Sequence, residues 1–488
     1  MKIKNGFSAV DNVSSSASLR NYRPLMALFC ALILSRILGS LALPLYDDAF
    51  ITFRYARNLG QGFGFVYQPG HWVMGLTGPA FGFVLSLISF LSLDLPRVVV
   101  PLNILTDVFI FWVTYKLLNV RLSGTVTTLF GIFFGSSPIM TRICAGGMEM
   151  DLFLLMSVLT IYLYINDRKR LALFLAGLSY FIRPESVVLI GVVVAMEWVV
   201  SKKNALMLLI SSLIIILPLL LIQYYYYGSV LSQPVLSKSR EVGVSVIPVV
   251  KELLFTDILC IVVAPFACYG AIKAYSDNIV VRILTWWALI YAAAYLIVRP
   301  SPWSWYGEPI HYVELVLAAI GISEAGRSIK SFVAYESHVW WIGSAGVAVL
   351  WAGIFVLNGP SKVNANVYRE IKIWSKEANR SKNSILAGDI GAIGYYSSSH
   401  ILDAAGLVWP EAINYQSTRD LAIIYHPDYI FLNATRSNME MMTKHPLDTL
   451  YVPVRRFSAN KRIDIDPLPL NYGDQWVQDY LLFSRRTL

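Results

Sequence analysis

The sequence predicts a polytopic α-helical membrane protein with a small α/β domain at its C-terminus. Three observations lead there. Of 488 residues, 56% are hydrophobic and only 15% charged, whereas a soluble globular chain carries roughly 25% charged residues. Apolar runs of about 20 residues, each spanning roughly 30 Å as a helix, recur between residues 24 and 358. Beyond residue 358 the composition shifts to short apolar segments separated by turn residues. The mean hydropathy of +0.56 agrees.

The first element is a basic, Ser-rich tail, residues 1–23, expected in the cytoplasm. No small-residue cleavage site follows the next apolar run, so 24–44 is expected as a retained helix. Further spans are expected at 97–118, 122–140, 150–165, 170–184, 186–200, 204–227, 257–275, 283–298, 310–326 and 337–358. That makes about eleven helices, two of them short for a span of roughly 17–25 residues. The basic clusters Lys2/Lys4/Arg20/Arg23, Lys116/Arg121, Arg168/Lys169/Arg170, Lys202/Lys203, Lys273/Arg282 and Arg327/Lys330 all face the cytoplasm under this count. The net charge of +9 is thereby largely topological, and no nucleic-acid partner is expected.

An odd number of spans puts the first loop, 45–96, and the C-terminal segment, 359–488, outside the cytoplasm. The apolar run 76–93 fits this scheme only as an interfacial or re-entrant helix. In the last segment, "NVYREIKIWSKEANR" has the period of an amphipathic helix, and "SILAGD", "HILDAAGL" and "PDYIFLNAT" read as short buried strands. Their alternation predicts the α/β domain. "GDIGAIGYY" lacks the G-x-G-x-x-G spacing of a dinucleotide loop and is expected as a turn where backbone packs closely. Cys30, Cys144, Cys260 and Cys268 lie in or beside apolar runs with no CxxC pair, so neither disulfides nor a zinc site is indicated by spacing.

The chemistry concentrates in "PLYDDAFITFRYARNLGQGFG", residues 44–64. Asp47 and Asp48 meet the edge of the bilayer, where charge is costly and marks function by default. Asp47 is expected to cap the helix that follows, with Arg54 and Asn58 on its face. An ionised carboxylate facing a hydroxyl serves as a general base. Arg54 and Arg57 offer charge-assisted hydrogen bonds to an anionic leaving group. Simple helix capping is the alternative role for the pair.

The stretch resembles the first outer loop of the GT-C glycosyltransferases that use polyprenyl-phosphate sugars. It is most similar to the arabinofuranosyltransferase branch, with its pattern DD-[AS]-[FY]-I-x-x-R-Y-A-x-N-L-x-x-G-x-G. "AGGMEMDLF" (145–153) resembles the family's S-G-x-E-T-x-L-F, with Met150 and Asp151 as departures. "SYFIRPESVVL" (179–189) matches T-R-P-E/D. "YYGSVLSQPVLSKS" (226–239) resembles P-N-x-F-x-x-K, with Gln233-Pro234 replacing Pro-Asn. "RPSPWSWYGEPIHY" (299–312) sits where an aromatic loop belongs.

The resemblance implies transfer of a sugar, arabinofuranose first, from a polyprenyl phosphate to a hydroxyl on an envelope glycan or a surface protein such as a pilin. Asp47 is then the first choice for the general base, and Asp48 orients it or contacts the donor sugar. Arg54, Arg183 and Lys238 form the cationic side of the phosphate site. Arg183 and Glu185 otherwise make a paired polar hairpin, Glu149 a helix cap, and Lys238 a solvated loop residue. Trp303, Trp305 and Tyr306 suit either sugar stacking or the interfacial aromatic belt. His311 suits either the acceptor cleft or a packed helix start. No metal cluster is legible, so no obligatory metal is expected, though a divalent ion stays possible. A lipid-linked-sugar flippase and a glycan-binding assembly protein are the rival classes, and no inverted repeat supports the first.

Overall fold

The computed structural model describes residues 15–119, 124–238, 243–301, 303–327, 336–358, 362–377, 383–397, 399–458 and 479–486. Lys2, Lys4, Arg121, Arg240 and Lys330 lie outside the described residues. The first helices are α1 (Ser15–Ala42), α2 (Asp47–Gly60), α3 (Pro79–Phe90), α4 (Leu95–Asn119), α5 (Gly124–Ser136) and α6 (Pro138–Gly146). Next come α7 (Met150–Ile165), α8 (Lys169–Ser179), α9 (Ser186–Val200), α10 (Lys202–Tyr227), α11 (Gln233–Lys238) and α12 (Val246–Leu254). The membrane part closes with α13 (Ile258–Ala274), α14 (Ile279–Val298), α15 (Glu308–Arg327) and α16 (Glu336–Asn358).

Every expected span contains a helix, and lengths separate two groups. Among the described residues, five helices are long and apolar enough to cross a membrane: α1, α4, α10, α14 and α16. The pair α5 and α6, bent by 59°, adds a sixth if it counts as one span. The count of about eleven therefore includes shorter helices such as α7, α9 and α13. The segment 170–184 shortens to α8 because residues 180–185, Arg183 among them, form turns rather than helix. The run 76–93 yields α3, whose 12 residues rise only about 18 Å. It leaves Phe83, Leu87 and Phe90 exposed.

Two features fix the helical packing. Backbone meets backbone where α13 crosses α15: a Cβ on Gly321 would stand 1.9 Å from the Phe266 carbonyl, and one on Gly270 2.2 Å from that of Leu317. Small residues at such crossings let apolar helices approach closely. Deeper in, Arg36 of α1 pairs with Asp107 of α4, both fully buried, and Arg36 also donates to the Phe134 carbonyl at 3.0 Å. A buried charge of this kind is held only by a partner.

The C-terminal part begins with α17 (Lys362–Glu377) and continues through β1 (Ser384–Ala387), α18 (Gly391–Tyr396), β2 (His400–Asp403) and α19 (Thr418–Tyr425). It ends with β3 (Tyr429–Asn433), α20 (Arg436–Met442), α21 (Leu447–Leu450), β4 (Tyr451–Phe457) and β5 (Tyr480–Arg485). The strands form one sheet in the order β2-β1-β3-β5-β4. β1 pairs in parallel with β2 and β3, and β5 antiparallel with β3 and β4. The three strands expected from the sequence are the parallel ones; β4 and β5 were not anticipated. Helix α18 is built from the glycine-rich stretch and packs against α2, which joins this part to the first loop.

Candidate active site

Helix α2 explains the adjacent carboxylates. Successive helical residues point about 100° apart, so Asp47 and Asp48 serve different faces. Asp47, Phe50, Arg54 and Arg57 face the C-terminal part. Asp48, Ile51 and Thr52 face a cleft.

On the first face, Asp47 is not the cap of its own helix; Tyr46 holds the N-cap position and no side chain caps it. The Asp47 carboxylate instead accepts the backbone N–H groups of Gly391 and Ala392, at 2.8 and 2.9 Å. Its pKa is pushed up to about 7, by burial first and by Asp389 next, against those two donors. Arg54 donates to the Gly394 carbonyl at 2.8 Å and to Gln68 Oε1 at 3.1 Å, and stacks over Tyr67. Arg57 donates to the Tyr395 carbonyl. Neither arginine lines the cleft: both are engaged with α18. Phe50 packs on Tyr368, Tyr395 and Tyr396. The glycines of "GAIGYY" permit this contact, since a Cβ on Gly391 would lie 1.8 Å from the Asp47 carbonyl oxygen.

On the second face, Asp48 looks into a cleft lined by Thr52, Thr77, Glu149, Arg183, Lys238, Trp305, Tyr306 and Leu407. Six of the residues expected at the site converge here: Asp48, Glu149, Arg183, Lys238, Trp305 and Tyr306. Arg183 donates to Glu149 at 3.0 Å and to Glu185 at 2.7 Å, and Tyr295 of α14 donates to the same Glu185 oxygen at 2.7 Å. Glu185 thus stands behind Arg183. Burial opposes the Arg183 charge, yet Glu185 and Glu149 outweigh it and hold the guanidinium firmly protonated. Burial likewise opposes the Lys238 charge, and Tyr306 and Asp48 reverse that and raise its pKa. Lys238 Nζ lies 3.5 Å from the Tyr306 hydroxyl. The Asp48 carboxyl is raised by burial and drawn back by Lys238.

Helix α11 brings Lys238 to the cleft because Gln233 is clamped from both sides. Its N–H donates to the Met74 carbonyl at 2.8 Å, and its side chain to the Gly406 carbonyl at 3.1 Å. Asp403 shapes the loop that supplies Leu407, accepting from Ala405 and Val408. Trp303 stacks on Trp305. His311 does not reach the cleft; it is buried against Thr256. Thr52, Thr77 and Leu407 were missed by sequence reasoning. Thr52 sits four residues after Asp48, the spacing that would have found it.

The cleft opens into an apolar cavity of about 350 Å³, which shares Thr77, Arg183, Pro234, Lys238 and Tyr306 with it and continues along Val235, Ala294 and Val298. A larger apolar cavity of about 740 Å³, lined by Trp72, Phe83, Phe181 and Tyr226, shares no residue with the cleft.

Residues 361–480 match the model of a domain of unknown function, DUF8728. No curated protein matches the chain by sequence. Among solved structures, ArnT from Cupriavidus metallidurans bound to undecaprenyl phosphate superposes with a TM-score of 0.62. The match is at 9% identity and covers 96% of this chain and 98% of that one. The apo state of the same protein gives 0.61 at 10% identity over the same shares. The fold is that of ArnT. The ArnT-like fold accounts for an integral membrane protein with a sheet-containing C-terminal part. The likeness stops short of the arabinofuranosyltransferase branch.

Proposed function

We propose that the protein is a membrane glycosyltransferase that moves a sugar from a polyprenyl phosphate to an acceptor hydroxyl outside the cytoplasm. One observation supports this most: Asp48, Lys238 and Arg183, far apart in sequence, line one cleft that runs into an apolar cavity. A carboxylate, two cations and an apolar channel are what a lipid phosphate sugar and its attacking hydroxyl need. The ArnT structure holding undecaprenyl phosphate supports the same ligand class.

In this reading the lipid tail lies along Val235, Ala294 and Val298, and the phosphate meets Lys238. Arg183 already serves two carboxylates, so it positions Glu149 and contributes charge at short range. Asp48 accepts the proton of the acceptor hydroxyl as that oxygen attacks the anomeric carbon. The bond from that carbon to the phosphate oxygen breaks, and polyprenyl phosphate leaves with its charge held by the cations. Asp47, expected from sequence to be the base, is assigned instead to holding α18. Trp305 and Tyr306 flank the sugar. Residues 24–358 form the catalytic membrane domain and residues 359–488 an outer domain. The first-loop pattern makes polyprenyl-phosphate arabinofuranose the first donor to test, with an envelope glycan or a pilin-like protein as acceptor.

The test uses purified full-length protein in lipid nanodiscs, supplied with radiolabelled polyprenyl-phosphate sugars and an envelope extract. Label should move to the extract and polyprenyl phosphate should be released. Vesicle-to-vesicle movement of intact donor without cleavage would overturn the reading in favour of a flippase.

A further inference from the structure

The ends of α13 and α15 nearest the cleft bring together three groups that the proposed reaction does not use. Cys260 lies in the first turn of α13, and His311 and Glu314 lie three residues apart on one face of α15. The Cys260 sulfur, a His311 ring nitrogen and a Glu314 carboxylate oxygen stand within 4.8 Å of one another. His311 Nδ1 is 3.6 Å from Glu314 Oε2, too long for a hydrogen bond. It is, however, the separation of two ligands of one ion. Metal bonds of about 2.0–2.3 Å in a tetrahedron set ligand atoms roughly 3.3–3.8 Å apart.

The surroundings fix which ring nitrogen is available. Thr256 Oγ1 donates to the Glu252 carbonyl at 3.4 Å and lies 2.8 Å from His311 Nε2. The Thr256 contact occupies Nε2, which leaves Nδ1 as the ring nitrogen that faces Glu314. His311 is fully buried, and Nδ1 has no hydrogen-bond partner among the described residues. A histidine oriented through one nitrogen with the other bare is the usual arrangement of a metal ligand. Glu314 keeps 16% of its side-chain surface open, which gives an ion a way in.

We propose that Cys260, His311 and Glu314 form a zinc site that staples α13 to α15. Thiolate, imidazole and carboxylate together suit Zn²⁺ rather than Mg²⁺ or Ca²⁺, and water completes the tetrahedron. Asp107, Cys144 and Asp151 also converge within 4.8 Å, but Asp107 already serves Arg36. The zinc site lies directly under the turn that carries Trp305 and Tyr306: a Cβ on Gly307 would be 3.0 Å from His311 Nε2. The ion therefore supports the aromatic wall of the cleft from outside it. Binding releases the Cys260 proton, so affinity falls as the pH is lowered.

The experiment titrates Co²⁺ into the purified, chelator-stripped full-length protein in detergent. One equivalent should give a thiolate-to-cobalt charge-transfer band in the near ultraviolet, and Zn²⁺ should abolish it. Zn²⁺ should also raise the melting temperature. Cys260→Ser should lose the band although Cys30, Cys144 and Cys268 remain. Glu314→Gln, at a partly open position that folding tolerates, should keep the band and weaken Zn²⁺ by at least the roughly 10–100-fold that loss of an outer-shell partner costs. A folded wild-type protein that gives no band, or a Glu314→Gln variant that binds Zn²⁺ as tightly as wild type, overturns the site.

Discussion

At the scale of the residue, the two aspartates should come apart under the same substitution. Asp48→Asn keeps the shape of the cleft and removes the basic oxygen, so transfer should fall about a hundredfold or more while donor still binds. The acid limb of the wild-type pH profile should lie above the ordinary carboxylate range, because burial raises Asp48. Asp47→Asn should stay within about tenfold of wild type in transfer. Its effect is on stability. The folded pKa of about 7 exceeds the unfolded value of roughly 3.9, so the folded chain binds the extra proton between those limits and stability falls as pH rises through them. Melting temperatures measured from pH 4 to 8 should show that fall, and Asp47→Asn should flatten it. Normal transfer in Asp48→Asn would remove the base from the mechanism. The two cations should separate as well. Lys238→Ala should weaken donor use about ten- to a hundredfold, by loss of a charge-assisted hydrogen bond. Arg183→Ala strands Glu149 and Glu185 and should lower stability by about 3–5 kcal/mol, read as lost folded protein. Equal stability in both variants would contradict the pairing.

At the scale of the element, helix existence was legible and helix role was not. The bounds 150–165 and 186–200 are those of α7 and α9, because apolar periodicity reports burial locally. Arg54 and Arg57 read as phosphate ligands from sequence because nothing local shows α18 arriving from more than 300 residues away to take them. Glu149, Arg183 and Lys238 were legible only through motif likeness. His311 and Glu314 share an i, i+3 spacing, but nothing local shows Cys260 arriving beside them from another helix. Helix α18 offers the sharpest element-level test. Gly391→Ala puts a methyl group 1.8 Å from the Asp47 carbonyl oxygen, and overpacking of this kind costs about 1–3 kcal/mol or more. Limited proteolysis should release the C-terminal part faster in Gly391→Ala than in Gly388→Ala, where a Cβ meets nothing within 4 Å. Equal cleavage would show that the contact does not hold the two parts together.

At the scale of the whole molecule, the α/β character of the C-terminal part was readable from three buried strands, whereas β4 and β5 were not. The exposed centre of β4, Pro453 to Arg456, lacks the apolar signature of the parallel strands. The alternation of basic clusters predicts the cleft and the C-terminal part outside. A reporter active only in the cytoplasm, fused after Leu488, should therefore be silent, and a strong signal would invert the topology. The two faces of α2 bear on how such a protein can be recombined with its structural relatives. A chimera that swaps residues 359–488 alone would present a foreign surface to Asp47, Phe50, Arg54 and Arg57. The workable unit of exchange is that segment together with the first-loop stretch from Asp47 to His71, and any such graft carries the proposed base, Asp48, along with it.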